Sequence, residues 1–143
     1  MSSLNYFQNI FIICGTEVKT MITTTDKFEF TIGVTEGYFH NNENSNIDFV
    51  ELVDKCCREV EKLSGIYVSF NIAPIITLYK SEWGCPKGGE HTYVLSAIRN
   101  PKFNNDRAYW RGSCMTVMTC LKDMLKQSSV TGEFSEVEMV YFN

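Results

Sequence analysis

Arg107 and Arg111 stand four residues apart where the pattern predicts the start of a helix, so they share one helix side and can converge on a single anion. The same helix end offers unpaired backbone N–H groups and the positive end of the helix dipole, a setting suited to phosphate or carboxylate. Arg99 ends the strand that feeds this helix through Asn100-Pro101, which places it on the same edge of the domain. Phe103 and Tyr109 lie near enough in sequence to stack on a base or ring. Asp106 is the competing partner, because pairing with it would turn the arginines into an ordinary solvated helix face.

A second candidate is the loop from Ser81 to Glu90, which carries Trp83, Cys85, Pro86, Lys87 and three glycines and is longer than a hairpin requires. Loops of that make-up bind a ligand, fold over a site, or simply satisfy turn geometry. Gly88-Gly89 can bring backbone amides close to an anion, but the spacing matches neither a phosphate loop nor a dinucleotide fingerprint. Cys85 and His91 can be drawn as a thiol and its base, with Glu90 as helper, although no third orienting group is evident. His40 reads as a surface histidine. Glu133, Glu136 and Glu138 read as the solvent face of a strand, without the matching partner of a paired-carboxylate hydrolase. The six cysteines (Cys14, Cys56, Cys57, Cys85, Cys114 and Cys120) contain no C-x-x-C pair, and with only two histidines no zinc spacing is recognisable; free thiols and no metal are expected.

Charge sharpens the first candidate. Between Lys80 and Arg111 lie six of the thirteen basic residues, three of the four arginines and both tryptophans, against three acids, in a chain of net charge −4. The acidic balance argues against coating duplex nucleic acid, which depends on many phosphate contacts, while leaving room for a local cationic patch. No apolar run reaches the length of a membrane span and the N-terminal residues do not resemble a secretory leader, so a cytoplasmic protein is expected.

The elements that must position these groups follow from periodicity. At 143 residues the expectation is one domain, residues 1–143. Phe11–Ile22 reads as a strand interrupted at Gly15, Thr23–Lys27 as a turn, and Phe28–Val34 as a second strand in a hairpin with the first. An asparagine-rich loop follows, with Ser45 or Asn46 capping a helix whose stripe is Phe49, Leu52, Val53, Cys56, Val60 and Leu63, stopped by Gly65. Ile66–Tyr79 reads as a strand in which Pro74 marks a bulge or an edge. His91–Arg99 is its hairpin partner, with Thr92, Val94, Ser96 and Ile98 on one face and His91, Tyr93, Leu95, Ala97 and Arg99 on the other. A second helix capped by Asn105 or Asp106 runs to about Lys126, and Phe134–Phe142 is the last strand. The expected fold is α+β, order ββαββαβ: a two-layer sandwich of a mostly antiparallel sheet of five or six strands with both helices on one face.

At the arginine pair the chain resembles the small phage proteins of the Thoeris anti-defence type, which sequester cyclic ADP-ribose signals. The resemblance rests on a short α+β architecture and on Arg107-x-x-x-Arg111. It implies a homo-oligomer that grips the phosphates of a signal with the two arginines. It also implies an aromatic, Phe103 or Trp83, stacked on the base and an amide contact from Asn100 or Asn104 near a subunit interface. The expected function on this basis is non-catalytic sequestration of a small anionic, nucleotide-like ligand by Arg99, Arg107, Arg111, Trp83, Lys87, Phe103 and Asn104, without a cofactor, duplex nucleic acid or membrane. Two other readings stay open. One is a small oligomeric enzyme acting on an anionic metabolite with Cys85, His91 or Tyr93 as acid or base; the other is an interaction module whose Trp83 loop docks on a partner protein.

Overall fold

The computed structural model describes residues 6–13, 16–36, 42–43 and 48–143, with side chains described for 19–35 and 48–143. Cys14, the expected bulge at Gly15, His40 and the expected Ser45 or Asn46 cap lie outside the described residues. The chain forms β1 (Tyr6–Ile13), β2 (Thr16–Gly33), the short pair β3 (Thr35–Glu36) and β4 (Asn42–Glu43), α1 (Phe49–Ser64), β5 (Asn71–Thr77), β6 (Glu90–Ile98), α2 (Arg107–Met124) and β7 (Thr131–Phe142).

The largest departure from expectation is β2, one strand of 18 residues where two strands and a turn were read. Thr23, Thr24 and Thr25 are β-branched, and strand geometry accommodates them better than a turn does. This one strand organises the sheet. Its first half pairs with β1 and its second half with β6 on the same side, while β7 runs antiparallel along its other side from Thr20 to Thr31. Five strands therefore contribute, yet the sheet is nowhere more than four wide, in the order β7, β2, β6, β5, with β1 continuing where β6 stops. The α+β class, the two helices and the open antiparallel sheet agree with expectation; the width of five or six strands and the order ββαββαβ do not. Pro74 sits in β5, the edge strand, where the missing N–H costs no ladder bond. Pairing of β5 begins only at Asn71, so Ile66–Phe70 is not strand, although Val68 is buried.

Strand parity divides the sheet into two faces. Phe28, Phe30 and Ile32 of β2 lie opposite Ala97, Leu95 and Tyr93 of β6, and this face packs beneath the helices. α1 buries Phe49, Val53, Cys56, Cys57 and Val60 and ends at Gly65, whose φ of 78° suits a residue without a side chain. Asp48 caps its start, its carboxylate accepting from the Glu51 N–H at 3.1 Å, in place of the expected Ser45 or Asn46. Leu63, read as part of the stripe, is 83% exposed. α2 starts at the expected cap, Asp106, which accepts from the Tyr109 N–H at 3.0 Å, and buries Trp110, Ser113, Cys114, Val117 and Leu121 against α1 and the sheet. The opposite face carries Thr31, Gly33, Thr92 and Thr77, and among the described residues no helix covers it.

Candidate functional site: an acidic cleft on the helix-free face

Glu90 begins β6 on the same parity as Thr92, and across the strand pairing it faces Thr77 of β5. The residues just before it fix its entry. Gly89 has φ 92° and donates its N–H to the Pro86 carbonyl at 3.0 Å, a turn that only glycine enters without strain. Glu90 is 8% exposed, and the Tyr79 hydroxyl donates to its Oε1 at 3.0 Å. Beside it the Thr77 and Thr92 hydroxyls share a hydrogen bond of 2.7 Å. These groups form the floor of a cleft of about 790 Å³, within the range of roughly 300–1,000 Å³ common for small-molecule sites.

Two loops wall the cleft. One is the long hairpin loop, where Ser81–Trp83 make a single 3-10 turn ended by Gly84 at φ 102° and present Glu82 and Trp83. Trp83 is 63% exposed, so its ring is available at the rim. The other is the connection from α2 to β7, Gln127 to Val130. Gln127 Nε2 donates to the Thr35 carbonyl at 2.6 Å and to the Leu125 carbonyl at 3.2 Å, which ties this loop to the backbone just past β2. Among the described residues the lining contains two carboxylates, Glu82 and Glu90, and no lysine, arginine or histidine. A cleft so lined favours a cationic ligand over an anionic one.

The arginines lie elsewhere. Arg99, Arg107 and Arg111 converge as their spacing implied, but on Asp26 of β2, a carboxylate 3% exposed on the helix-covered side. Arg107 binds it in bidentate fashion, Nε to Oδ2 at 2.8 Å and Nη2 to Oδ1 at 3.0 Å. Arg99 Nε approaches Oδ2 at 3.4 Å while its Nη1 donates to the Asn104 carbonyl at 3.0 Å. Arg111 Nη1 lies 3.5 Å from Oδ1, and its guanidinium stacks 3.8 Å above the centre of the Phe134 ring. Burial pushes the Asp26 carboxyl up, but the Arg107 hydrogen bond and the charges of the three arginines outweigh it and hold its pKa below the ordinary 3.8.

Of the other residues singled out from sequence, Trp83 lines the cleft, and Lys87 is exposed in the turn of the same loop. Phe103 packs edge-on against Tyr141 with centroids 5.9 Å apart. Cys85, His91 and Tyr93 do not assemble: Cys85 is in the loop, His91 is exposed on the parity opposite to Glu90, and Tyr93 stacks on Phe49 at 4.0 Å. Burial drives Cys57 and Cys114 away from reactivity, raising both to about 12. Among the described residues no group of three or more His, Cys, Asp or Glu side chains is arranged to hold a metal ion, and no helix is long and apolar enough to cross a membrane. Sequence reading missed Glu90 as more than a helper, and missed Tyr79 and Gln127. The signal for Glu90 was available: the polar parity Thr92, Ser96 extends back to it, and a carboxylate on that parity, beside a long loop, points into whatever the loop covers.

An open-faced antiparallel sheet backed by two helices, with an acid-lined cleft on the bare face, defines a small α+β domain. A protein-family model described as SAM lyase matches residues 23–143, and the chain belongs to that family. Its fold is similar to that of a solved phage SAM lyase in complex with S-methyl-5'-thioadenosine, at 16% identity and a TM-score of 0.52, over 83% of this chain and 88% of the other. No curated protein sequence matches the chain. Family membership overturns two expectations drawn from the sequence, that the protein is a non-catalytic sponge and that it leans away from enzyme activity, because the family is one of enzymes. The likeness to Thoeris-type proteins that sequester cyclic ADP-ribose is replaced by this family.

Proposed function

We propose that this chain cleaves S-adenosylmethionine (SAM) in the Glu90 cleft and releases S-methyl-5'-thioadenosine. The observation that carries the reading is the charge of the lining, two carboxylates and no basic side chain among the described residues, in a member of the SAM lyase family. SAM carries a sulfonium and an ammonium against one carboxylate, so both of its cations gain from Glu82 and Glu90. A phosphorylated signal would be repelled. Trp83 offers an aromatic face at the rim for the adenine or for the sulfonium.

The two named molecules fix the bond that breaks. S-Methyl-5'-thioadenosine keeps the methyl, the sulfur and the nucleoside, so the Cγ–S bond of the methionyl arm is cleaved. Without water as reactant, the balanced route that needs no base is internal: the substrate carboxylate oxygen forms a bond to Cγ as the Cγ–S pair leaves on sulfur. The products are a neutral thioether and a five-membered lactone that keeps the ammonium. No proton changes hands, and a positive and a negative charge cancel, a change favoured where water is excluded. The protein then acts by orientation: Glu90, fixed by the Tyr79 hydroxyl, holds the ammonium so that the carboxylate folds onto Cγ. Mass spectrometry of SAM incubated with the purified chain tests this, by appearance of the thioadenosine and of a lactone rather than an unsaturated acid. Glu90→Gln should lower turnover by about 100-fold while the protein stays folded. Unchanged turnover in that variant refutes the site, and intact SAM with the wild-type chain refutes the function.

The same bare face supports the proposal of a homo-oligomer. Ile75 is 37% and Ile98 48% exposed on it, flanked by Val94 and Ala73, an apolar strip that a second copy would cover. Light scattering on the wild type and on an Ile75→Lys, Ile98→Lys variant tests it. A monomer in both refutes it. The proposed location is the cytoplasm, where SAM is made and used.

A further inference from the structure

We propose that Gly33 is a positioning residue for the reaction: its bare Cα is the seat on which the Glu90 carboxylate lies, and the Gln127 amide closes that seat. The inference rests on the assignment of the cleft to SAM cleavage. Gly33 ends β2, is buried, and stands opposite Thr92 in the strand register. Its φ is not in the left-handed region, unlike those of Gly65, Gly84, Gly88 and Gly89, so backbone conformation does not demand glycine here. Space does. A Cβ at position 33 would fall on Glu90 Oε2, and would lie 3.3 Å from Glu90 Cδ and 3.0 Å from Gln127 Oε1.

The identity of these neighbours separates Gly33 from a packing glycine. At Gly132, another strand glycine, an added Cβ meets the Phe28 ring and Met118 Sδ at 2.9 Å, which are core groups. At Gly33 the three nearest atoms all belong to two side chains that line the cleft. Neither side chain is loose. Gln127 is tied by Nε2 to the Thr35 and Leu125 carbonyls, and Glu90 is engaged through Oε1 with the Tyr79 hydroxyl. An added methyl would therefore swing the Oε2 arm off its seat by on the order of 1 Å, and misplacement of that size costs about 100-fold in rate.

The test is a double-mutant cycle in the full chain, with kcat and KM for SAM measured from the thioadenosine released and with thermal midpoints recorded for the same proteins. Gly33→Ala is expected to lower kcat about 100-fold with a smaller change in KM. Glu90→Asp shortens the side chain and withdraws it from the added methyl. It is expected to lower kcat in the wild-type background and to raise it at least fivefold above the single variant in the Gly33→Ala background. A merely structural glycine gives no such reversal of sign. The proposal is overturned if Gly33→Ala keeps kcat within threefold of wild type, or if Glu90→Asp lowers kcat by the same factor in both backgrounds. If Gly33→Ala does not accumulate, Gln127→Ala probes the seat from its other side: a fall in kcat at near-constant KM supports the proposal and wild-type kcat overturns it. A wild-type chain that leaves SAM intact refutes the substrate reading separately. In that event non-additive thermal midpoints across the cycle uphold the seat and additive ones overturn it.

Discussion

Replacing Asp26 by asparagine keeps the shape of the side chain and removes the charge that Arg99, Arg107 and Arg111 share. Breaking a buried ion pair from one side costs about 3–5 kcal/mol, because the stranded partner keeps its desolvation penalty without its compensation. Here the partners differ in exposure. The Arg107 side chain is 41% exposed and Arg111 32%, so both can turn toward water, whereas Arg99 at 2% cannot. The cost is then set mainly by Arg99 and falls near the lower end, about 3 kcal/mol. For a chain of 143 residues that corresponds to a fall of roughly 10 °C in thermal midpoint. The pH dependence gives a second handle. A carboxylate whose folded pKa is depressed contributes stability that is present above its unfolded pKa and is lost as the pH falls through the folded value. The gap between wild type and Asp26→Asn should therefore be full from pH 7 down to pH 5 and begin to close only below about 3.8. Urea denaturation at a series of pH values measures it. A gap under 1 kcal/mol at pH 7, or one that closes above pH 5, would refute the idea that Asp26 holds the arginines together.

Trp83→Ala should raise KM for SAM about tenfold and leave kcat and the thermal midpoint nearly unchanged, since the ring is 63% exposed at the rim of the cleft and is not part of the core; steady-state kinetics checks it. Gly89→Ala should destabilise the fold by about 1–3 kcal/mol in chemical denaturation, because φ is 92° and the added Cβ would meet the Ile76 side chain and lie 3.3 Å from the Thr77 carbonyl oxygen. Cys57 and Cys114, pushed up to about 12 by burial, should resist alkylation of the native protein at pH 8 and react only on unfolding, as peptide mass spectrometry would show.

Much of the fold was legible in local chemistry. The caps and stops of the helices announce themselves: Asp106 and Gly65 fall where side-chain oxygen and left-handed backbone are needed, and the apolar stripe Trp110, Cys114, Val117, Leu121 has the period of a helix that buries one face. The alternation of β6 was read correctly because one of its faces is core and the other is not. What failed was the segment whose local signal is ambiguous. Thr23–Lys27 is polar, which argues for a turn, and β-branched, which argues for a strand. Tertiary context decided the matter: β1, β6 and β7 all pair along β2, and a break there would sever the sheet.

The expectation of a sponge for a phosphorylated signal, which the family overturns, grew from a count of charge along the chain. Six basic residues within Lys80–Arg111 suggested a cationic pocket, but a charge counted along the chain is not a charge delivered to a site. Three of the six spend their fields on one carboxylate contributed by β2, more than 70 residues earlier, on the helix-covered face. Arg107 grips that carboxylate in bidentate fashion and Arg99 is buried beside it, so these guanidiniums are turned toward Asp26 and away from the opposite face. On the opposite face the same stretch contributes Glu82 and Glu90, two of its only three acids, to the cleft. The period of two in β6 performs this separation: Arg99 has odd parity and turns to Asp26, Glu90 has even parity and turns to the open face. A segment that is basic on average thus contributes two carboxylates to the cleft, and the cationic ligand proposed above is of the opposite sign to the one its composition implied.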